Sequence, residues 1–141
     1  MPLSQPEREA FLTQPHIGAL AVARANPGRA PLVVPIWYCY EPGREVWIMT
    51  GRDSVKAKAI TAAGRVSLLV ERIEPTVRYV SVEGAVVSAE PSTAGELWEL
   101  SSRYLPTEKV PEYVKAAENY GPQVTIRFRT EHWLSADLGE V

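Results

Sequence analysis

The sequence predicts a mainly β protein: an antiparallel Greek-key barrel of about six strands with peripheral helices, in one domain over residues 1–141. Three observations lead there. Short runs of alternating apolar and polar residues are separated by Pro, Gly and Asn turn chemistry. The first three runs are joined by connections too short for a crossover, so they must be antiparallel. A helical run between the third and fourth lets the chain cross over, which favours a Greek key over a simple meander.

The elements follow in order. Ser4 reads as the N-cap of a short helix over residues 4–14, with Glu7 in its first turn and Phe11 and Leu12 on its apolar face. Residues 17–24 form a first strand, and Asn26-Pro27-Gly28-Arg29 turns it. The second strand, 31–41, places Leu32, Val34, Ile36, Tyr38 and Tyr40 on one face, with Pro35, Trp37 and Cys39 on the other. Pro42-Gly43 leads to a third strand at 45–50, and a helix over 54–63 stops at Gly64. Strands at 65–74 and 78–90 follow, the second bent or bulged at Gly84. Helices are expected from Thr93 to about Leu105 and over 111–120, and a last strand over 124–133.

The composition narrows function. Fifteen Lys and Arg against seventeen Asp and Glu give a net charge of −2, which is no footprint for nucleic-acid binding. The lone Cys39 reads as a small buried hydrophobe, and His16 and His132 have no ligand-spaced partners, so no metal site is expected. No apolar run reaches the roughly 18–20 residues of a membrane helix. The first residues also lack the pattern of a signal peptide. The expected location is the cytoplasm, with no membrane partner.

The chemistry-bearing stretch is Thr50-Gly51-Arg52-Asp53-Ser54-Val55-Lys56-Ala57-Lys58, where the third strand gives way to a helix. First-turn N–H groups and the helix dipole favour an anion there, and Arg52, Lys56 and Lys58 add positive charge. The pattern is neither a P-loop nor a Rossmann glycine motif. Lys56 and Lys58 stand about 200° apart on a regular helix, so both meet one phosphate only if the turn is irregular. The bland alternative is a solvated basic face. Trp37 likewise reads as a site residue or as ordinary packing or a dimer contact, and Trp98 and Tyr104 as core or interface.

The order of these elements, Val34-Pro35-Ile36-Trp37-Tyr38 in the second strand and Thr-Gly-Arg-x-Ser-x-Lys-x-Lys after the third, resembles the pyridoxamine 5′-phosphate oxidase-like flavin-binding split-barrel family. The actinobacterial branch using FMN or the deazaflavin coenzyme F-420 looks most similar. Arg65-Val66-Ser67-Leu68-Leu69-Val70 and Arg78-Tyr79-Val80-Ser81-Val82-Glu83-Gly84 fit the next two strands, and the resemblance covers residues 5 to 135. It implies a homodimeric split barrel with cofactor sites at the subunit interface. Lys56 and Lys58 would hold the cofactor phosphate, with Ser54, Arg52 and Gly51 close by. Pro35, Ile36 and Trp37, with Met49 and Thr50, would line the ring and its sugar-like chain, and Trp133 would come from the other subunit.

The implied activity is hydride transfer between the cofactor ring and a small unsaturated or aromatic substrate. No nucleophile–base pair is legible, so the catalytic residues are unassigned. True pyridoxamine phosphate oxidases end in an Arg/Trp-rich segment. Here the corresponding residues are Glu131-His132-Trp133-Leu134-Ser135-Ala136-Asp137, which argues against vitamin B6 oxidation. The anionic tail of F-420 would suit a basic groove, for which Arg24, Arg29, Arg52 and Arg127 are candidates. The alternative function is a non-catalytic module binding flavin or haem.

Overall fold

The computed structural model describes residues 1–139. Eight strands form one curled antiparallel sheet: β1 (Gly18–Val22), β2 (Leu32–Ile36), β3 (Tyr38–Cys39), β4 (Val46–Gly51), β5 (Arg65–Arg72), β6 (Val77–Pro91), β7 (Gln123–Phe128) and β8 (His132–Gly139). Their order is β2-β1-β5-β6-β7-β4-β3, with β8 also paired to β6. Helices α1 (Gln5–Thr13), α2 (Val55–Ala63), α3 (Ala94–Tyr104) and α4 (Val110–Ala117) flank the sheet.

Two of the expected strands are each divided, which raises the number from about six to eight. The run at 31–41 breaks at Trp37: β2 pairs with β1, and β3 pairs with β4. Pro35 has no N–H to donate, so it tolerates only an edge position, and β2 ends the sheet there. The run at 124–133 also breaks. β7 pairs with β4 and with the far half of β6, whereas β8 pairs with the near half of β6. β6 therefore belongs to both halves of the sheet. Its register shifts fall between Val86 and Ser88 against β7 and between Val77 and Arg78 against β8, not at Gly84.

Gly84 has a different task. Where the chain crosses from β7 to β8, Arg129 lies directly on Gly84, and a Cβ there would overlap the Arg129 carbonyl oxygen. The crossing is pinned by Arg129 N–H to Ala85 O (2.9 Å) and Glu131 N–H to Glu83 O (2.8 Å). The Glu131 carboxylate accepts from Ala85 N–H (2.8 Å) and pairs with Arg65 (2.9 Å).

The helix ends match their sequence signals. Ser4 and Thr93 each make a capping box, with Glu7 and Glu96. Ser54 caps α2 through Ala57 N–H, and Gly64 ends it at φ 71°, a left-handed turn that needs no Cβ. The Gly64 carbonyl accepts from Val86 N–H (2.9 Å), tying α2 to β6. The helix expected over 111–120 is α4 flanked by 3₁₀ turns at Thr107–Lys109 and Glu118–Tyr120.

The alternation expected in the second strand orients it as read: Ile36, Tyr38 and Tyr40 face the interior with Leu20, Leu68, Val80 and Phe128. Each such fully buried side chain contributes about 1.5–3 kcal/mol. The opposite faces of β3 and β4 carry Cys39 and Trp47, which Leu100 of α3 covers.

Gly84→Ala should therefore destabilise the fold by about 3 kcal/mol, the upper end for overpacking, because the obstacle is backbone. Denaturant unfolding would show it as a lowered midpoint at unchanged slope. A second expectation concerns Asp137 on β8. The N–H of Gly139, the Thr76 hydroxyl and Arg78 hold its carboxyl down at about 2. The native pKa lies below the ordinary 3.8, so the unfolded chain takes the proton first as pH falls. Stability from Asp137 is complete above that ordinary value and is lost as pH drops through the native one. Asp137→Asn should flatten this acid limb in a series of unfolding midpoints against pH.

Candidate functional site

Strand β4 connects two features of the site. Its outward residue Met49 lines an open cavity of about 300 Å³ with Pro35, Ile36 and Trp37 of the β2–β3 segment. Two residues on, Gly51 starts the turn into α2. Four of the sequence-predicted residues, Pro35, Ile36, Trp37 and Met49, thus meet in one cavity. Leu97, Leu100, Tyr113, Ala117 and Tyr120 of the helical cover complete it, together with Ile17 and Gln123.

Its walls are aromatic. The Trp37 ring stacks on Tyr104 at 4.8 Å and 13°, and lies 5.6 Å from Tyr113, which meets Tyr120 edge-on at 6.4 Å. Burial, and then the neighbouring Tyr120, raise the Tyr113 phenol above its ordinary pKa. The Tyr104 hydroxyl donates to His16 O (2.7 Å) and accepts from Tyr38 N–H (3.2 Å). This clasp fixes α3 against the β2–β3 break and against the segment leading to Ile17. Among the described residues, no Asp, Glu, Lys, Arg or His lines the cavity.

The turn lies beside it, because Gly51 is the register partner of Gln123, and Arg52 N–H donates to Pro122 O (2.9 Å). Ser54 accepts from Ala57 N–H (3.0 Å), which leaves the first-turn N–H groups of Val55 and Lys56 without intrahelical partners. Thr50 points into the core face of β4, its hydroxyl 3.2 Å from that of Ser54, so it braces the turn from within. Lys56 is half-buried and makes no ion pair among the described residues; desolvation lowers its pKa. Arg52 is exposed and pairs with Asp53 (3.4 Å).

Lys58 stands apart from Lys56, since α2 is a regular helix from Val55 onward. It is exposed and lines a separate depression of about 270 Å³ with Arg24, Asn26 and Val55. Trp133 does not join the cavity either. Its side chain packs on the interior, edge-on to Tyr40 (6.2 Å) and under the Arg8 guanidinium (4.7 Å). Of the candidates for a basic groove, Arg127 pairs with Glu96 (2.9 Å) and lies over Trp47, Arg52 pairs with Asp53, and Arg24 lines the depression with Lys58. A larger polar cavity of about 420 Å³ lies across α3, between Glu99 and Glu45, and there Arg127 and Arg44 are already paired with Glu96 and Glu41.

Sequence reasoning missed Tyr113, Tyr120, Leu97 and Gln123. The seven-residue spacing of Tyr113 and Tyr120, two helical turns, was the available signal. Nothing local marked Gln123, whose role depends on pairing with Gly51 across the sheet.

The profile of the pyridoxamine 5′-phosphate oxidase family matches residues 4–136. Among solved structures, the chain is similar to a conserved hypothetical protein of Mycobacterium tuberculosis, at 27% identity and TM-score 0.71, over 96% of this chain and 85% of that one. It is similar to an F420 reductase at 25% identity and TM-score 0.69, over 89% and 94%. A FAD-binding protein of Mesorhizobium loti, at 22% identity, TM-score 0.70 and coverage of 99% and 98%, shares the fold. No curated protein matches the chain.

Proposed function

The chain belongs to the pyridoxamine 5′-phosphate oxidase family, and from that premise we propose that it is an oxidoreductase using FMN or the deazaflavin F-420, acting on a small organic substrate. The observation that carries this reading is the adjacency along β4: an uncharged aromatic cavity at Met49 and an anion-suited helix start at Gly51–Lys56. A flavin-type cofactor has the same two parts, a flat apolar ring system and a phosphate on a short chain. When bound, it supplies hydride transfer through its ring.

The chain's own residues have defined tasks in this reading. Lys56 and the first-turn N–H groups receive the phosphate, and an anion there offsets the cost of half-burying an unpaired cation. Trp37 and Tyr113 wall the ring and exclude water. Neither His16 nor His132 lines the cavity, so it offers no histidine as a haem ligand.

The reading includes a homodimer. The outward residues Pro35, Ala19, Leu69, Ser81 and Leu134 are successive cross-strand partners over β2, β1, β5, β6 and β8. This row is uncharged, and Leu134 is 65% exposed and Leu69 39%. Ile17 and Pro35 belong both to this face and to the lining of the aromatic cavity, so a second copy seated on the face would also border the cofactor. Leu134 turns toward such a partner, whereas Trp133 turns inward.

Two measurements test these statements. Fluorescence titration with FMN and F-420 in parallel should give saturable binding of at least one, and Lys56→Ala should weaken it about tenfold or more, as loss of a charge-assisted hydrogen bond implies. Unchanged affinity in that variant would overturn the phosphate assignment. Leu69→Arg should convert a dimer to a monomer in sedimentation analysis; a wild-type monomer would remove the dimer from the reading.

A further inference from the structure

Gln123 occupies the junction of the two halves of the site. It is the first residue of β7 and the register partner of Gly51. Its Nε2 lies 3.8 Å from the position a Gly51 Cβ would take, which sets the carboxamide against the turn. Its backbone is committed, since its carbonyl accepts from Ser92 N–H (3.0 Å). Its side chain is half-buried and has no hydrogen-bond partner among the described residues, yet it lines the cavity. Apart from tyrosine hydroxyls and the Trp37 indole, it is the only polar side chain among the described residues of that lining.

A carboxamide beside an apolar wall discriminates by hydrogen bonding. It offers one acceptor oxygen and two N–H donors, the complement of a ring edge in which an N–H stands next to a C=O. We infer that Gln123 is a positioning residue that reads such an imide-type edge on the ring occupying the cavity. It would fix how far the ring lies from the Lys56 turn and which edge faces the aromatic wall. FMN and the deazaflavin both carry this edge, so the inference rests on the cofactor reading above but not on the choice between them.

The test is a cycle of two ligands and two proteins, read by equilibrium binding rather than turnover. FMN and 3-methyl-FMN, which lacks the edge N–H, are titrated into wild type and Gln123→Leu, with F-420 titrated into both proteins. Wild type should bind FMN about tenfold more tightly than 3-methyl-FMN, the range of one desolvated hydrogen bond. In Gln123→Leu that preference should vanish, and the bound absorption band should move toward that of the free cofactor. Should only F-420 bind, the same variant should lose about tenfold in affinity with the same spectral change. Gln123→Met, which keeps length without donor or acceptor, should behave like Gln123→Leu if the effect is not a folding defect. An equal preference in wild type and both variants, or F-420 affinity and spectrum unaltered by both, would overturn the role of Gln123 and leave the cofactor reading standing. Failure of wild type to bind either cofactor would overturn both.

Discussion

The arrangement depends on one contact without side-chain space: the backbone of Arg129 lying on Gly84. β6 is fifteen residues long and pairs with β5 and β8 at one end and β7 at the other. For β7 and β8 to use the same edge of β6, the chain between them must cross it closely. Only a residue without a Cβ permits that approach. The hydrogen bonds of Ala85, Glu83 and Glu131 then lock the crossing, and Val86, one residue beyond, holds the carboxyl end of α2 through Gly64. The helix that supplies Lys56 is thus hung from the same point that joins the two halves of the sheet.

The opposite seam explains where the cavity opens. β2 and β3 end the strand order on either side, yet Trp37 alone separates them in the chain. The sheet must curl until its ends meet at that residue. The ladder is interrupted there: Pro35 donates nothing, and Tyr38 N–H is taken by the Tyr104 hydroxyl instead of by a strand. A site where strands stop pairing has side chains and backbone free for a ligand. The helical cover from α3 and α4 then supplies the walls that a sheet edge cannot.

Much of this was legible locally. Alternation from Leu32 to Tyr40 identified the interior face. Ser4, Ser54 and Thr93 marked three helix starts, and Gly64 one end, because capping is a matter of a few adjacent residues. The breaks at Trp37 and after Phe128 were not legible as breaks. Periodicity of two continues through Trp37, where only the pairing partner changes, whereas after Phe128 the inward face passes to Trp133, a change of parity made at the crossing over Gly84. Gly84 was recognisable as exceptional, but its reason lay forty-five residues away at Arg129. In the same way, Pro35, Trp37 and Met49 were found from their own strands, whereas Gln123 became visible only through its register with Gly51. Residues whose role is set by long-range pairing carry no short-range signature.

Lys56 and Lys58 show how geometry separates residues that sequence groups together. On α2 they point about 200° apart, so a single phosphate at the first turn is served directly by one of them. An exposed pair such as Lys58 could form contributes about 0–1 kcal/mol, because water already solvates both ions. Lys56 is half-buried, unpaired among the described residues, and shifted toward its neutral form by desolvation. An anion arriving beside it recovers solvation lost on folding and adds the attraction of the two first-turn N–H groups at the end of a helix dipole. The larger gain therefore falls to the lysine that the fold has left uncompensated. On the proposed reading the ring would lie next to it, since the uncharged cavity beyond Gly51 favours the apolar part of a ligand and penalises a second unpaired charge. A molecule with one anionic end and one flat, nearly neutral end satisfies both halves in a single orientation.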